Sequence, residues 1–292
     1  MKTRYLSFLL LIGLAAMSPG VAMAGPILGP ALSTFAVLGG SAVTNTGTTT
    51  IGGNIGVYPG TSISGISGGA ATAELAQSQL STAMSELAGV TPVTTLASSD
   101  LTLAGTLGPG FYSVPAGTTN LSGALTLNGG GNADAAWVFL MPSSFITSSG
   151  SSVALTNTGA GAGVYWVVGS SATLGSGSTL PGNILAQDSI TLGSGATVSC
   201  GRALASSGAV TMDNNTVENT CSGAEAGSNG LSGGLNVTTD SAGMPVVSLA
   251  SPPPPTSAPE PPAWLLLGSG LLALGLLGSL RRKAAAVAQP AV

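Results

Sequence analysis

The chain has 292 residues, of which 45 are glycine, only 5% are charged and 4% are aromatic. It contains no histidine, and five of its six basic residues lie before residue 5 or after residue 280, which leaves Arg202 as the only cation of the central region. This distribution argues against a nucleic-acid partner, which needs clustered Lys and Arg, and against chemistry that uses histidine as a base or metal ligand.

The first 24 residues predict a secretory signal peptide. Lys2 and Arg4 precede an apolar run over residues 6–16, and Ala22-Met23-Ala24 forms a small-residue cleavage site. The apolar run is too short for a membrane anchor, which needs about 20 residues. We expect signal peptidase to cleave after Ala24 and the protein to be exported.

Strand-like stretches over residues 35–57 are followed by one segment with helical spacing. Between residues 70 and 88, apolar side chains recur at Ala76, Leu80, Ala83, Met84 and Leu87. Gly89 and Pro92 then end the pattern. We predict an α-helix whose apolar stripe lies along the β structure and covers one of its faces.

The region after this helix repeats a short unit. The sequence SATLGSG, which begins at Ser171, recurs as SITLGSG from Ser189, 18 residues later, and a looser copy, AVTM, begins at Ala209. Each period holds three short strands with glycine-containing corners. This arrangement predicts a parallel β-helix in which each coil pairs with its neighbours at about 4.7–4.9 Å.

Strand alternation predicts which side chains face the interior. Leu174, Leu192 and Met212 should stack inside, and Ala172, Ile190 and Val210 should stack beside them. Thr173, Thr191 and Thr211 should form an outward ladder, with Ser171, Ser189 and Ala209 as a second outward column.

Several stretches between residues 28 and 220 carry a resemblance to a known family. They are FAVLGGSAVTNTG from Phe35, GGNIGV from Gly52, VYWVVGSSATL from Val164, GNILA from Gly182, and GRALA from Gly201 with GAVTMDNN from Gly208. These sequences resemble the microbial ice-binding protein family. The resemblance implies a β-dominated domain over residues 25–221, an irregular right-handed parallel β-helix of three-strand coils with one long α-helix alongside, and binding to ice through a flat face.

The resemblance and the repeat register together predict the ice-binding residues. They are Thr44, Thr46, Ser171, Thr173, Ser189, Thr191, Ala209 and Thr211. Short uncharged side chains lose little rotamer freedom when they meet a rigid surface. A Thr hydroxyl can order the water bound to it, while the methyl group excludes other water. Ile146, Asn120 and Asp213 make this face less uniform.

A rival face is also rich in threonine and is ranked second because its strands are shorter and less alike. It carries Thr50, Thr126, Thr179 and Thr197.

A different function also stays open. The protein could be a cell-surface adhesin or a structural protein of the extracellular matrix on the same scaffold.

We predict no enzymatic activity, no catalytic residue, no metal and no cofactor. β-Helix enzymes that cleave polysaccharides need convergent carboxylates or a Lys or Arg base in a groove. Asp188 and Asp213 fall near strand ends, where Asp is a common turn residue. Arg202 is expected to donate to the carbonyl groups of the coils rather than to a ligand.

The two cysteines, Cys200 and Cys221, predict one disulfide, as is usual in an exported chain. Their separation of 21 residues is close to one coil. Both could therefore lie at the same corner of neighbouring coils, where a disulfide would hold the last coil in place.

The end of the chain predicts a linker and a sorting signal. Residues 222–258 are rich in Gly, Ser and Pro and predict a flexible linker. Pro259-Glu260-Pro261, an apolar stretch over residues 264–280 that is long enough to span a membrane, and the three cations after it resemble the PEP-CTERM sorting signal, here over residues 259–292.

The second resemblance implies processing by an exosortase and delivery to the cell surface or extracellular matrix of a Gram-negative bacterium. Contact with the membrane is then expected only through the apolar span. The alternative is an ordinary C-terminal anchor that is never cut.

Overall fold

The computed structural model describes residues 26–66, 73–91 and 93–251. The predicted signal peptide, the sorting signal with Pro259, Glu260, Pro261 and the span over 264–280, and the last residues of the predicted linker lie outside these ranges. Among the residues that the structure describes, no helix is long and apolar enough to cross a membrane.

The described chain consists of short strands, one α-helix and three short 3-10 helices. The strands are β1 Phe35–Gly39, β2 Ala42–Thr46, β3 Thr50–Gly52, β4 Asn54–Val57, β5 Ser62–Ser64, β6 Thr94–Thr95, β7 Thr106–Leu107, β8 Gly110–Ser113, β9 Thr119–Leu121, β10 Ala124–Asn128, β11 Ala136–Met141, β12 Phe145–Thr147, β13 Ser152–Thr156, β14 Gly163–Val168, β15 Ala172–Leu174, β16 Thr179–Ala186, β17 Ile190–Leu192, β18 Thr197–Ala205, β19 Val210–Asp213, β20 Thr216–Glu218, β21 Leu235–Thr239 and β22 Pro245–Leu249. The α-helix is α1 Ala73–Ala88, and the 3-10 helices are Leu32–Thr34, Leu101–Ala104 and Gly223–Glu225.

Strands β1 to β20 pair in parallel on three faces of a β-helix. Face A has the order β6-β8-β11-β14-β16-β18-β1-β4, and face B has the order β9-β12-β15-β17-β19-β2-β5. Face C has the order β7-β10-β13-β16-β18-β20-β3. Strands β16 and β18 are long because each turns a corner, with its first residues on face C and its last on face A. The predicted parallel β-helix with three strands in each coil is confirmed.

The order of the coils in space differs from their order in the chain. The first three strands, β1, β2 and β3, stack on β18, β19 and β20, and the paired residues are 166 or 167 positions apart in the chain. Helix α1 contacts β4 and β1 as well as β11 and β14, so it returns the chain along face A. The chain then starts again at β6, at the opposite end of the stack.

The interior of the coils is apolar and aromatic. The rings of Tyr112, Phe139 and Trp166 stack in successive coils, with centroid distances of 5.5 Å and 4.5 Å. The six side chains predicted to point inward from β15, β17 and β19 are all buried. Each large side chain buried in this way contributes about 1.5–3 kcal/mol to folding.

Helix α1 covers face A. Its side chains Ala76, Leu80, Ala83 and Leu87 are buried in one cluster with the outward side chains of face A. The helix ends at Ala88, directly before Gly89, as predicted. Met84 is only partly buried because it lies at one flank of the helix, beside an open groove of about 580 Å³.

The described part of the predicted linker is folded, which differs from the prediction. β21 and β22 form an antiparallel hairpin, and Val247 is buried in the cluster beneath α1. The apolar side chains that pack this hairpin alternate along its two strands and are Leu235, Val237, Val247 and Leu249. The high content of Gly and Ser around them makes this alternation hard to recognise in the sequence. The folded region therefore extends beyond the predicted boundary at residue 221.

Candidate functional site

Face B carries a straight column of four threonines. The register of the parallel strands places Thr173 beside Thr191, Thr191 beside Thr211, and Thr211 beside Thr44. The first three are exposed and Thr44 is half-buried. The hydroxyl of Thr44 donates to that of Thr211 over 3.3 Å. The predicted outward ladder is present, and the first coil of the chain extends it.

The strands hold this column rigidly. In β15, β17 and β19, each outward Thr has a buried apolar side chain before and after it. The parallel ladder repeats at about 4.7–4.9 Å, and a β-branched side chain has few χ1 rotamers. The threonine side chains of the column are therefore held in place at one rung per coil.

The second predicted column lies at the edge of the face and contributes to the scaffold. Ser171, Ser189 and Ala209 are half-buried and directly precede the strands. The Ser171 hydroxyl oxygen accepts from the backbone N–H of Ser189 at 3.3 Å, and that of Ser189 accepts from the N–H of Ala209 at 3.2 Å. These hydroxyls join successive coils, so they are less free than the threonines to meet a ligand.

The opposite edge of face B is interrupted. Thr46 is exposed and pairs with Asp213, and its hydroxyl donates to the carbonyl of Met212 at 3.3 Å. In the neighbouring coils the same position is Gly193 and Gly175. An added Cβ would lie 2.8 Å from the Leu174 carbonyl oxygen at Gly193, and at Gly175 it would be 2.5 Å from the backbone of the coil below. The coils of β15 and β17 therefore carry no side chain at this position.

The column extends further than the sequence predicted. Beyond Thr44, β5 adds Ser64, which pairs with Thr44 and is exposed. Beyond Thr173, the column continues through Ile146, which is 42% exposed, and then through Asn120. The alternation Ser-Ile-Ser over residues 62–64 was the signal that could have identified β5 as part of this face.

The rival threonines lie on face C and are less regular. Thr179, Thr197 and Thr50 stack in one column with a further threonine, Thr216, which was not predicted. Thr126 lies two residues along the strand, in the next column, beside Thr106.

Face C also lacks the even surface of face B. A recess of about 290 Å³ opens beside its threonines and is lined by Pro181, Glu218, Cys221 and Glu225. A depression with two carboxylates therefore adjoins this column.

The ionisable side chains have structural partners. Asp188 accepts hydrogen bonds from Ser170 at 3.0 Å and from Ser207 at 3.3 Å. Asp100 caps the 3-10 helix Leu101–Ala104. Burial raises the pKa of Asp100, but hydrogen bonds from Ser122 and Thr102 outweigh burial and hold this pKa below its usual range. Within the described ranges, no three His, Cys, Asp or Glu residues lie close enough to hold a metal ion.

Arg202 donates to main-chain carbonyls, as predicted, but to those of Ser33, Asn229 and Gly230 rather than to those of the coils. Burial lowers its pKa to about 10, an effect that the nearby Tyr165 opposes. The guanidinium thus stays charged at neutral pH.

Cys200 and Cys221 form the predicted disulfide, with their Cα atoms 4.7 Å apart. Cys200 lies in β18, and Cys221 follows β20, the strand that pairs with β18 on face C. The bond therefore ties neighbouring coils together, as the separation in sequence suggested.

Comparisons with known proteins agree with this architecture. A family described as Ice-binding-like matches residues 37–218. An ice-binding protein of Nostoc sp. (strain HG1) is 45% identical over 198 residues, which cover 65% of this chain and 72% of that protein.

Two solved structures are also similar. An ice binding protein from an Antarctic biological consortium has a TM-score of 0.61 at 36% identity, over 67% of this chain and 91% of that one. An ice-binding protein from the Antarctic ascomycete Antarctomyces psychrotrophicus has a TM-score of 0.56 at 36% identity, over 64% and 95%. From its sequence match and its three-faced β-helix, this chain belongs to the Ice-binding-like family.

Proposed function

We propose that the protein adsorbs to ice crystals through face B and thereby inhibits their growth and recrystallisation. One observation carries the proposal: the column of Thr173, Thr191, Thr211 and Thr44 runs in register across four coils. The relatives of this chain, which are named ice-binding proteins, support the same function.

The geometry of the column suits a crystalline partner. The strands that carry the threonines repeat at about 4.7–4.9 Å between coils, so water bound to the column is held in a row along the stack. The methyl group of each Thr excludes water from the space beside this row. Because the inward side chains fix the strands, the face loses little conformational entropy when it meets a rigid surface.

We also propose that the function is non-catalytic. The carboxylates Asp100 and Asp188 accept hydrogen bonds from serine and threonine groups of the scaffold, and the Arg202 guanidinium is buried. None of these groups converges with another on an open groove, which is what acid–base cleavage of a polysaccharide needs.

The substitution Thr191→Tyr tests the face. The ring projects from the middle of the column without disturbing the buried Ile190 and Leu192, so inhibition of ice recrystallisation should be lost while the circular dichroism spectrum is unchanged. Thr197→Tyr on face C is the matched control and should keep full activity. Loss of activity only in Thr197→Tyr would move the site to face C. Absence of ice activity in the unchanged protein would favour an adhesin or matrix protein.

The tail gives a second, separate proposal. We propose that the protein is exported and that an exosortase processes it near Pro259, Glu260 and Pro261, which places it at the surface or in the matrix of a Gram-negative bacterium. The tripartite sequence of the tail supports this. Exported protein should have a mass that corresponds to an end before Trp264, and an intact C-terminus on exported protein would contradict the proposal.

A further inference from the structure

Arg202 is a fully buried guanidinium that meets only uncharged oxygen atoms. Its Nη1 group donates to Asn183 Oδ1 at 2.8 Å and to the Gly230 carbonyl at 3.1 Å. Its Nη2 group donates to the carbonyl of Ser33 at 2.6 Å and to that of Asn229 at 2.9 Å, and Nε also reaches Ser33 at 3.3 Å. The donors are therefore used within the protein, and none is free for a ligand.

These acceptors come from three separate parts of the chain. Ser33 directly precedes the first coil, Asn183 lies in β16 in the middle of the stack, and Asn229 and Gly230 belong to the segment before the C-terminal hairpin. Asn183 strengthens the junction, because its amide nitrogen donates to the carbonyls of Val164 and Leu231 at 3.1 Å and 2.8 Å. Arg202 thus joins both ends of the described chain to the central coils.

One of these ends carries part of the proposed ice-binding face. From Ser33 the chain enters β1, turns a corner and continues as β2, which presents Thr44 and Thr46. β5 then adds Ser64. The N-terminal coils lie at the end of the stack, where β4 and β5 pair on one side only with other strands of the described ranges. A terminal unit of this kind opens at lower free energy than the coils inside the stack.

We propose that Arg202 is a positioning residue for the ice-binding face. By holding the carbonyl of Ser33, it fixes the start of the first coil on β18 and so keeps Thr44 and Ser64 in line with Thr211. This inference rests on the proposed function, since it concerns the completeness of the same face. Arg202 itself lies away from face B and does not contact ice.

The first test is hydrogen exchange on Arg202→Met and Arg202→Lys. Arg202→Met keeps much of the volume but leaves the carbonyls without donors. Amides of residues 33–66 and 223–251 should exchange faster, while those of β11, β14, β15 and β17 keep their protection. Arg202→Lys, which keeps the charge and some donors, should give a smaller change in the same segments. Unchanged exchange in residues 33–66, or uniform loss of protection throughout the chain, would overturn the proposal.

The second test uses ice activity and separates positioning from general stability. In the unchanged protein, Thr44→Tyr should reduce inhibition of ice recrystallisation. In the Arg202→Met background it should reduce it little further, because Thr44 is already out of line. Thr191→Tyr should abolish the remaining activity in both backgrounds. Equal losses from Thr44→Tyr in the two backgrounds would overturn the proposal.

The two tests also distinguish this inference from the proposed function. If the unchanged protein has no ice activity, the proposed function fails, whereas hydrogen exchange still decides whether Arg202 fixes the first coil.

Discussion

The hydroxyl oxygens of Thr44 and Thr211 lie 3.3 Å apart, although 167 residues separate the two in the chain. Their strands, β2 and β19, are parallel neighbours on face B. The threonine column therefore joins the first coil of the chain to the coil that contains β19. The face is complete only when both regions are folded.

The substitution Ile146→Thr should increase ice activity. Ile146 pairs with Thr173 and is exposed, so a Thr there would lengthen the hydroxyl column by one rung while keeping a β-branched side chain. The concentration needed to stop recrystallisation should fall. Val246→Thr is the control, since Val246 is also β-branched, is 43% exposed and lies in β22, outside face B. Equal effects of the two substitutions would show that surface polarity, not the column, determines activity.

Ser189→Ala and Thr191→Ala should have opposite consequences. Ser189→Ala removes the acceptor for the N–H of Ala209, so the free energy of unfolding should fall by about 0.5–1.5 kcal/mol with little change in ice activity. Thr191→Ala should alter stability by no more than about 0.5 kcal/mol and should lower ice activity. Denaturant unfolding and a recrystallisation assay on the same samples measure both. A large loss of ice activity in Ser189→Ala would show that the column of Ser171, Ser189 and Ala209 contacts ice.

Loss of the disulfide should destabilise the last coil without altering face B. Closing a loop of this length lowers the entropy of the unfolded chain by an amount worth about 3 kcal/mol. The double variant Cys200→Ser, Cys221→Ser should unfold at correspondingly lower denaturant concentration. Its ice activity near 0 °C should equal that of the unchanged protein, because both cysteines lie on the side of face C. An equal free energy of unfolding with and without the bond would contradict this account.

Asp100→Ala should destabilise the protein at neutral pH but not in acid. The carboxylate accepts hydrogen bonds from Thr102 and Ser122, and its folded-state pKa lies below the usual range. Its contribution is therefore present above the ordinary Asp pKa of about 3.9 and is lost as the pH falls through the lower, folded-state value.

For a half-buried cap whose hydrogen bonds solvent partly screens, the expected loss at pH 7 is about 0.5–1 kcal/mol. Thermal unfolding of the two proteins should converge as the pH is lowered through this range. A difference that stays constant with pH would exclude the carboxylate as the cause.

The coils could be predicted from the sequence because their information is local. The 18-residue offset between Ser171 and Ser189 fixes the register, and strand alternation then separates the buried Leu174 from the exposed Thr173. Thr44 and Thr46 were correctly placed on the same face as the repeat. That β2 stacks directly on β19 could not be predicted, since parallel pairing between distant strands has no turn between them to signal it.

The features that were missed depend on tertiary contacts. The hairpin β21–β22 is stabilised by packing beneath α1, and its sequence taken alone has the composition of a linker. The carbonyl partners of Arg202 lie 169 and 27 residues away in the chain. The bridging role of the Ser189 hydroxyl likewise appears only when two coils are stacked.

The return of the first coil to the last has a consequence for the time at which the protein can fold. A ribosome adds about 5–20 residues per second, so β2 is made about 10–30 s before β19. During that interval β2 has no neighbour at the edge that β19 will occupy, and such an edge can pair wrongly with other chains. Closing so large a loop is also entropically costly and slow. The segment that is synthesised first thus has to wait for the strands on which it stacks, and its five-residue strand limits the edge that stays open during that interval.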